Sequence, residues 1–223
     1  RKRGLVPIDR APKLDDMVAR KNSYLSTFAD WVTFETVVST NEDQIAISPG
    51  YIEREWVEGG RRYFHYKMDK PIQNFVAWLS ADYTVKTGKW NDVDISVYHH
   101  GPHNYNVDRM IESVQKSLDY FSAEFSPYQY KQMRVLEFPD YARFAQSFPN
   151  TVPYSEGIGF IADLSDQEAI DYVFYVTAHE VAHQWWAHQV MGANTQGGQV
   201  LVETLAQYSA LMVMEKEYGP ELM

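Results

Sequence analysis

The stretch "TAHEVAHQWWAHQ", residues 177–189, sets His179, Glu180 and His183 within five positions, followed by two tryptophans and a third histidine. On a helix His179 and His183 lie one turn apart on one face, so both imidazoles reach a single ion at about 2.0 Å. Glu180 is turned by about 100° from His179, which keeps it beside that ion as a base next to a water rather than as a ligand. An aromatic structural helix that happens to carry histidines has the same letters, so a third ligand has to decide.

Glu203 is the candidate. It lies in a segment, 199–218, whose apolar residues leave almost no polar side at helical spacing, and such a helix is normally buried all round. A buried carboxylate without a partner is costly, so Glu203 needs either a cation or a basic residue unless it faces solvent. Two histidines and one glutamate are a known open catalytic zinc set.

Composition narrows the alternatives. The chain has 223 residues, 45% of them apolar, enough to fill a core. Its formal charge is −10, and no run of five lysines or arginines occurs, so no nucleic-acid partner is expected. With no cysteine, disulfides, thiolate clusters and cysteine nucleophiles are excluded, and any metal must take nitrogen and oxygen ligands. No stretch approaches the roughly 18 consecutive apolar residues of a membrane span. "RKRGLVPIDRAPKLDD", residues 1–16, lacks the apolar centre of a signal peptide.

From residue 33 to residue 98 short β-rich runs alternate with turn residues, among them "YIEREWV" (51–57), "RRYFHYKM" (61–68) and "QNFVAWLSAD" (73–82). "EGGR" (58–61) and "KTGK" (86–89) are read as hairpin turns. The period then changes: Val107, Met110, Ile111, Val114, Leu118, Phe121 and Phe125 recur at helical spacing, with Asn106 as the cap and Pro127 as the stop. "MRVLEF" (133–138) and "EGIGFIAD" (156–163) read as strands, and a helix is expected from about Asp166 to Gly192. The fold class is therefore α+β.

"HEVAHQWW" (179–186) followed by "VETLAQYSALM" (202–212) resembles the metal-binding signature of the gluzincin zinc aminopeptidases, the aminopeptidase N-like family. "SLDYFSAEFSPYQYKQMRVLEFPD" (117–140) is similar to the opening of that family's catalytic domain, and "DKPIQNFVAWLSADY" (69–83) to the last strands of its β-rich amino-terminal domain. The resemblance implies an irregular lead over 1–32, the end of the β-rich domain over 33–90, and over 91–223 the first part of a thermolysin-like zinc peptidase domain whose carboxy-terminal helical part is missing. It implies one Zn2+ ion on His179, His183 and Glu203, Glu180 as general base, and a peptide substrate. The family's exopeptidase motif, glycine-x-methionine-glutamate-asparagine, aligns with "PYSEG" (153–157), where only Glu156 is kept; in the family this glutamate grips the substrate's amino terminus.

Other departures bear on function. Family members usually have eighteen residues between the second histidine and the glutamate, whereas His183 and Glu203 enclose nineteen, and the extra one is expected in the "GANTQGG" loop (192–198). The glycine after the ligand is Thr204, and the acid seven positions on, which supports a histidine ligand from behind, is Ala210. "HHGPH" (99–103) reads as a polar turn, with a second metal site as the alternative; His188 projects away from His179 and Trp185 into the core, while Trp186 projects toward the metal face, where it is read as packing with a wall of the site as the alternative.

The family's oxyanion-stabilising tyrosine is expected beyond Met223. The chain is accordingly expected to be part of a longer protein, weakly active or inactive alone, and to self-associate through helix 199–218. Some bacterial members with this style of motif are fused to, or encoded as, membrane-permease-like proteins. That implies a second class of function, a weak or inactive peptidase-like binding or assembly module of a membrane transport protein, with the parent tethered to a membrane.

Overall fold

A computed structural model describes residues 11–26, 28–166 and 169–222. The first ten residues of the expected irregular lead lie outside the described residues. The chain is α+β, with a β-rich first part followed by a largely helical one.

The first part holds β1 (Trp31–Val32), β2 (Glu35–Asn41), β3 (Ile45–Ile47), β4 (Tyr51–Glu58), β5 (Arg61–Lys67), β6 (Ile72–Gln73) and β7 (Leu79–Ala81). β2, β5 and β4 make an antiparallel sheet in the order β2-β5-β4, while β1 pairs with β6 and β3 with β7. The β4–β5 hairpin closes at Gly59 and Gly60, both at positive φ, as "EGGR" predicts. The single long strand read at "QNFVAWLSAD" is instead the two short pieces β6 and β7.

The second part is built on a four-stranded sheet of β8 (Thr84–Trp90), β9 (Val93–His99), β10 (Gln132–Phe138) and β11 (Thr151–Ser155), in the order β11-β10-β9-β8. β8 and β9 are antiparallel; β9, β10 and β11 run parallel. "KTGK" is thus strand interior, and the hairpin turns instead at Asn91, φ 47°. Gly88 sits in β8 for a packing reason: a Cβ there would stand 2.6 Å from Ile111 Cγ2, so the missing side chain lets a helix approach the sheet.

That helix is α1 (Val107–Glu124), whose buried stripe of Val107, Met110, Ile111, Val114, Leu118 and Phe121 is the one the spacing predicts, except that Phe125 follows the helix and is exposed. Asn106 precedes it without capping it; its side-chain amide donates to the carbonyls of Gly159 (2.7 Å) and Ala162 (2.9 Å). Those bonds explain why "EGIGFIAD" is a chain of turns and not a strand, β11 having ended at Ser155.

Met133 and Val135 of β10 join the α1 side of the sheet, and Arg134 between them points the other way. Arg134 is buried and donates to Ser48 O (2.6 Å) and Thr151 Oγ1 (2.8 Å), tying the β-rich part to the sheet.

α2 (Tyr172–Ala182) packs between α1 and α3 (Leu205–Tyr218). Val173, Phe174, Ala178, Val181 and Ala182 are buried around its circumference, as a central helix requires. It is shorter at both ends than the sequence suggests. Asp171 caps its start, accepting from Phe174 N–H at 2.9 Å, and regular helix stops before His183. α3 follows a π turn, Val200–Thr204, and ends at Gly219, φ 84°. This helix is not buried all round, as Val200, Leu201 and Tyr208 are exposed. Among the described residues no helix is long and apolar enough to cross a membrane.

Candidate metal centre

The last turn of α2 carries His179 and Glu180, the residue that ends it is His183, and the π turn carries Glu203. His179 Nε2 and His183 Nε2 face each other at 3.1 Å, and Glu203 Oε2 stands 3.8 Å and 3.5 Å from them. The point equidistant from these three atoms lies about 2.0 Å from each, the length of a zinc bond to nitrogen or oxygen. The donor set therefore fits a small divalent cation, with one side open.

The burial premise for Glu203 needs correcting. Its side chain is 49% exposed, so the rim of the site and not the core is where it works. The His183 hydrogen bond lowers its carboxyl below the usual range, against the opposing effect of partial burial. Burial pushes His179 down to about 4, with the neighbouring His183 adding to the effect. Burial also resists charge on His183, but the hydrogen bond to Glu203 and the charge of Glu180 outweigh it, and the net direction is up. A neutral imidazole facing a lone pair inward is the form that binds a metal.

Glu180 is buried, its Oε2 has no hydrogen-bond partner among the described residues, and burial raises its carboxyl to about 7. An unpartnered carboxylate poised near neutral pH beside three convergent ligand atoms suits a general base.

Several residues outside the motif hold this geometry. His183 Nδ1 lies 3.0 Å from the carbonyl of Trp186, which fixes the tautomer with Nε2 free. Trp186 also reaches α3 by donating Nε1–H to Ser209 Oγ at 2.8 Å, and its ring packs on Phe125 rather than walling the metal face. Trp185 is core, as expected. Gln184, fully buried, accepts from Asn150 N–H (2.9 Å) and donates to Ser147 Oγ (2.6 Å), which in turn donates to Glu180 O (2.8 Å). His188 Nε2 contacts Ser147 O at 3.1 Å and takes no part in the metal set. These bonds lash α2 to the 147–151 turn, and nothing in the local spacing of the motif foretells them. His179 Nδ1, by contrast, is buried and has no hydrogen-bond partner among the described residues, and Ala210, where the resemblance places a supporting acid, is a buried apolar residue.

A π turn holds one more residue than the α turn it replaces, and this one surrounds Glu203 itself, so a residue of the nineteen-residue spacing is accommodated beside Glu203.

Glu156 follows β11. Its Oε1 accepts from Asp140 N–H at 3.0 Å, and Oε2 is 3.6 Å from His103 Nδ1. His103, Glu137 and Glu156 form a second convergence of ligand types. The His103–Glu137 separation, however, is 2.5 Å, a hydrogen bond and shorter than the about 3.3 Å that two ligands on one tetrahedral ion keep. His99 and His100 are not members of this group. β11 runs close to the first site, since the Glu180 charge contributes to holding the buried Tyr154 hydroxyl well above its usual range, burial being the larger cause.

Residues 109–222, just over half of the chain and spanning both sites but for His103, match the family model described as the peptidase family M1 domain. No curated protein matches the chain.

Proposed function

The chain belongs to peptidase family M1, and from that premise we propose that it is a zinc-dependent aminopeptidase in which Glu180 is the general base. The observation that carries this reading is the convergence of His179 Nε2, His183 Nε2 and Glu203 Oε2 around a point at zinc-bond distance, with the unpartnered Glu180 carboxylate next to them.

When bound, zinc supplies a Lewis acid that polarises the scissile carbonyl and lowers the pKa of water toward about 7. The chain's own residues do the rest. His179, His183 and Glu203 hold the ion; Glu180 takes the proton of the attacking water on its carboxylate and delivers it to the leaving amine. Burial raises the Glu180 carboxyl of the metal-free protein to about 7, a value suited to a group that acts as base and then as acid within a turnover. Glu156, with one oxygen on Asp140 N–H and the other accepting no hydrogen bond among the described residues, binds the substrate's amino terminus, which makes the enzyme an exopeptidase.

Replacing Glu180 with Gln tests the assignment. The reading expects zinc content to be kept and hydrolysis to fall by at least about a hundredfold, the scale of general-base loss. Hydrolysis close to that of the unmutated protein removes Glu180 from this role.

A second reading is favoured by the unpartnered His179 Nδ1 and by Ala210: a metal-poor, catalytically weak domain that serves as a binding or assembly module of a membrane-tethered transport protein. The exposed Val200, Leu201 and Tyr208 support self-association through this segment. Hydrolysis of free-amine peptides by the zinc-loaded protein, with amino-terminally blocked peptides spared, separates the aminopeptidase from this module.

A further inference from the structure

The carboxyl ends of β9, β10 and β11 bring His100, His103 and Glu137, to which the hydrolytic reading assigns no role, beside Glu156. Glu137, the penultimate residue of β10, is 4% exposed and both of its oxygens are engaged: Oε2 accepts from His100 N–H at 2.6 Å and Oε1 from His103 Nδ1–H at 2.5 Å. Glu156 Oε2 faces the same Nδ1 at 3.6 Å, beyond hydrogen-bond reach, and accepts no hydrogen bond among the described residues. A cavity of about 240 Å³ opens here, lined by Asp82, Tyr83, His100, Glu137, Phe138 and Glu156.

One proton on Nδ1 cannot serve two carboxylates at full strength, and Glu137 has it. Were Glu137 unable to accept, a shift of about 1 Å would put the His103 ring on Glu156. Glu156 would then be hydrogen-bonded to the protein, and an incoming ammonium would have to displace the imidazole. Close approach at this corner is also built into Gly157, where a Cβ would stand 2.7 Å from Asp140 Oδ2.

We propose that Glu137 is a positioning residue for substrate binding: by capturing the His103 imidazole, it keeps Glu156 Oε2 open to the amino terminus of a peptide. This rests on the reading of Glu156 given above. His103 is then a restrained competitor for the substrate subsite, and Glu137 the group that restrains it.

The test is equilibrium binding in the zinc-loaded protein carrying Glu180→Gln, where ligand is not consumed. Calorimetric Kd values are measured for tri-alanine and N-acetyl-tri-alanine. Adding Glu137→Gln, whose one neutral amide oxygen cannot accept from both His100 N–H and His103 Nδ1–H and attracts the imidazole less than the Glu156 carboxylate does, is expected to weaken tri-alanine about tenfold, the effect of one charge-assisted contact, and to leave the acetylated peptide unchanged. Adding His103→Asn to that variant removes the competing ring and restores tri-alanine affinity, an outcome a merely structural role of Glu137 does not produce. His103→Asn without the Glu137 change, which keeps an N–H donor for the buried carboxylate, binds tri-alanine at least as tightly as the parent.

The proposal is overturned if Glu137→Gln binds tri-alanine as the parent does, if both peptides weaken alike, if the double change binds no better than Glu137→Gln, or if His103→Asn weakens tri-alanine. A parent protein with no preference for the free amine removes the Glu156 reading and this proposal with it. A parent with that preference, unmoved by Glu137→Gln, removes the positioning role only.

Discussion

His183 Nδ1 sits 3.0 Å from the carbonyl oxygen of Trp186, three residues on, because the chain leaves the helix at that histidine. A carbonyl only accepts, so Nδ1 carries a proton, and it is Nε2 that would give up its own and turn a lone pair into the space between His179 and Glu203 for a metal. The turn that ends α2 therefore sets which nitrogen of this candidate ligand is available as well as its direction.

Glu180 makes the metal-free protein pH-sensitive. Its folded-state value of about 7 is above the unfolded 4.5, so the folded protein holds the proton more tightly across that interval. The neutral form's advantage is complete below the unfolded value and is lost as pH rises through the folded one. Metal-free Glu180→Gln protein should therefore exceed the parent in stability by about 3 kcal/mol at pH 8, with the difference closing near pH 4. Urea midpoints across this range measure it, and a gap that widens toward low pH contradicts the assignment.

Asp171 joins three helices: it caps α2, accepts from Arg109 Nε on α1 at 2.7 Å and from Tyr218 OH on α3 at 2.7 Å. Arg109 also contacts Tyr218 directly. Asp171→Ala should cost roughly 2–4 kcal/mol, since it removes the cap and leaves Arg109 without that partner. Asp171→Asn keeps a capping oxygen and should fall between the two. Burial works against the Asp171 charge, yet the bonds from Phe174, Tyr218 and Arg109 win and hold its carboxyl low. Its stabilisation is thus present above the ordinary carboxylate range and lost as pH drops through the depressed value. Equal urea midpoints for the Asn and Ala variants argue against the cap.

The π turn invites a deletion. Leu201 is 42% exposed, and removing it restores an ordinary α turn with eighteen residues between His183 and the glutamate. Zinc affinity should stay within about tenfold of the parent, a shift of 1.4 kcal/mol or less. Competition with a chromogenic chelator measures it; abolished binding shows that the π turn itself aims Glu203.

The convergence of His179, His183 and Glu203 was legible because its signal is local. His179, Glu180 and His183 share one helical turn, and an acid in an apolar segment stands out, although Glu203 proved to be half-exposed. α1, β10 and the turn at Gly59 and Gly60 followed from spacing and turn chemistry. Long-range side-chain bonds defeated the other readings. Asn106 was spent on the Gly159 and Ala162 carbonyls, which made a turn of an apparent strand, and Ile111 required Gly88 inside a strand. Helical projection failed past His183 because the helix ends there, which is why Trp186 faces Ser209 and not the metal. No local pattern announces that Glu137 holds His103, thirty-four residues away.

Anomalous diffraction at the zinc absorption edge, from crystals of the zinc-loaded protein, bears most directly on the central claim. The account predicts one strong peak about 2.0–2.2 Å from His179 Nε2, His183 Nε2 and a Glu203 carboxylate oxygen. A peak elsewhere, or none between these three side chains, contradicts it.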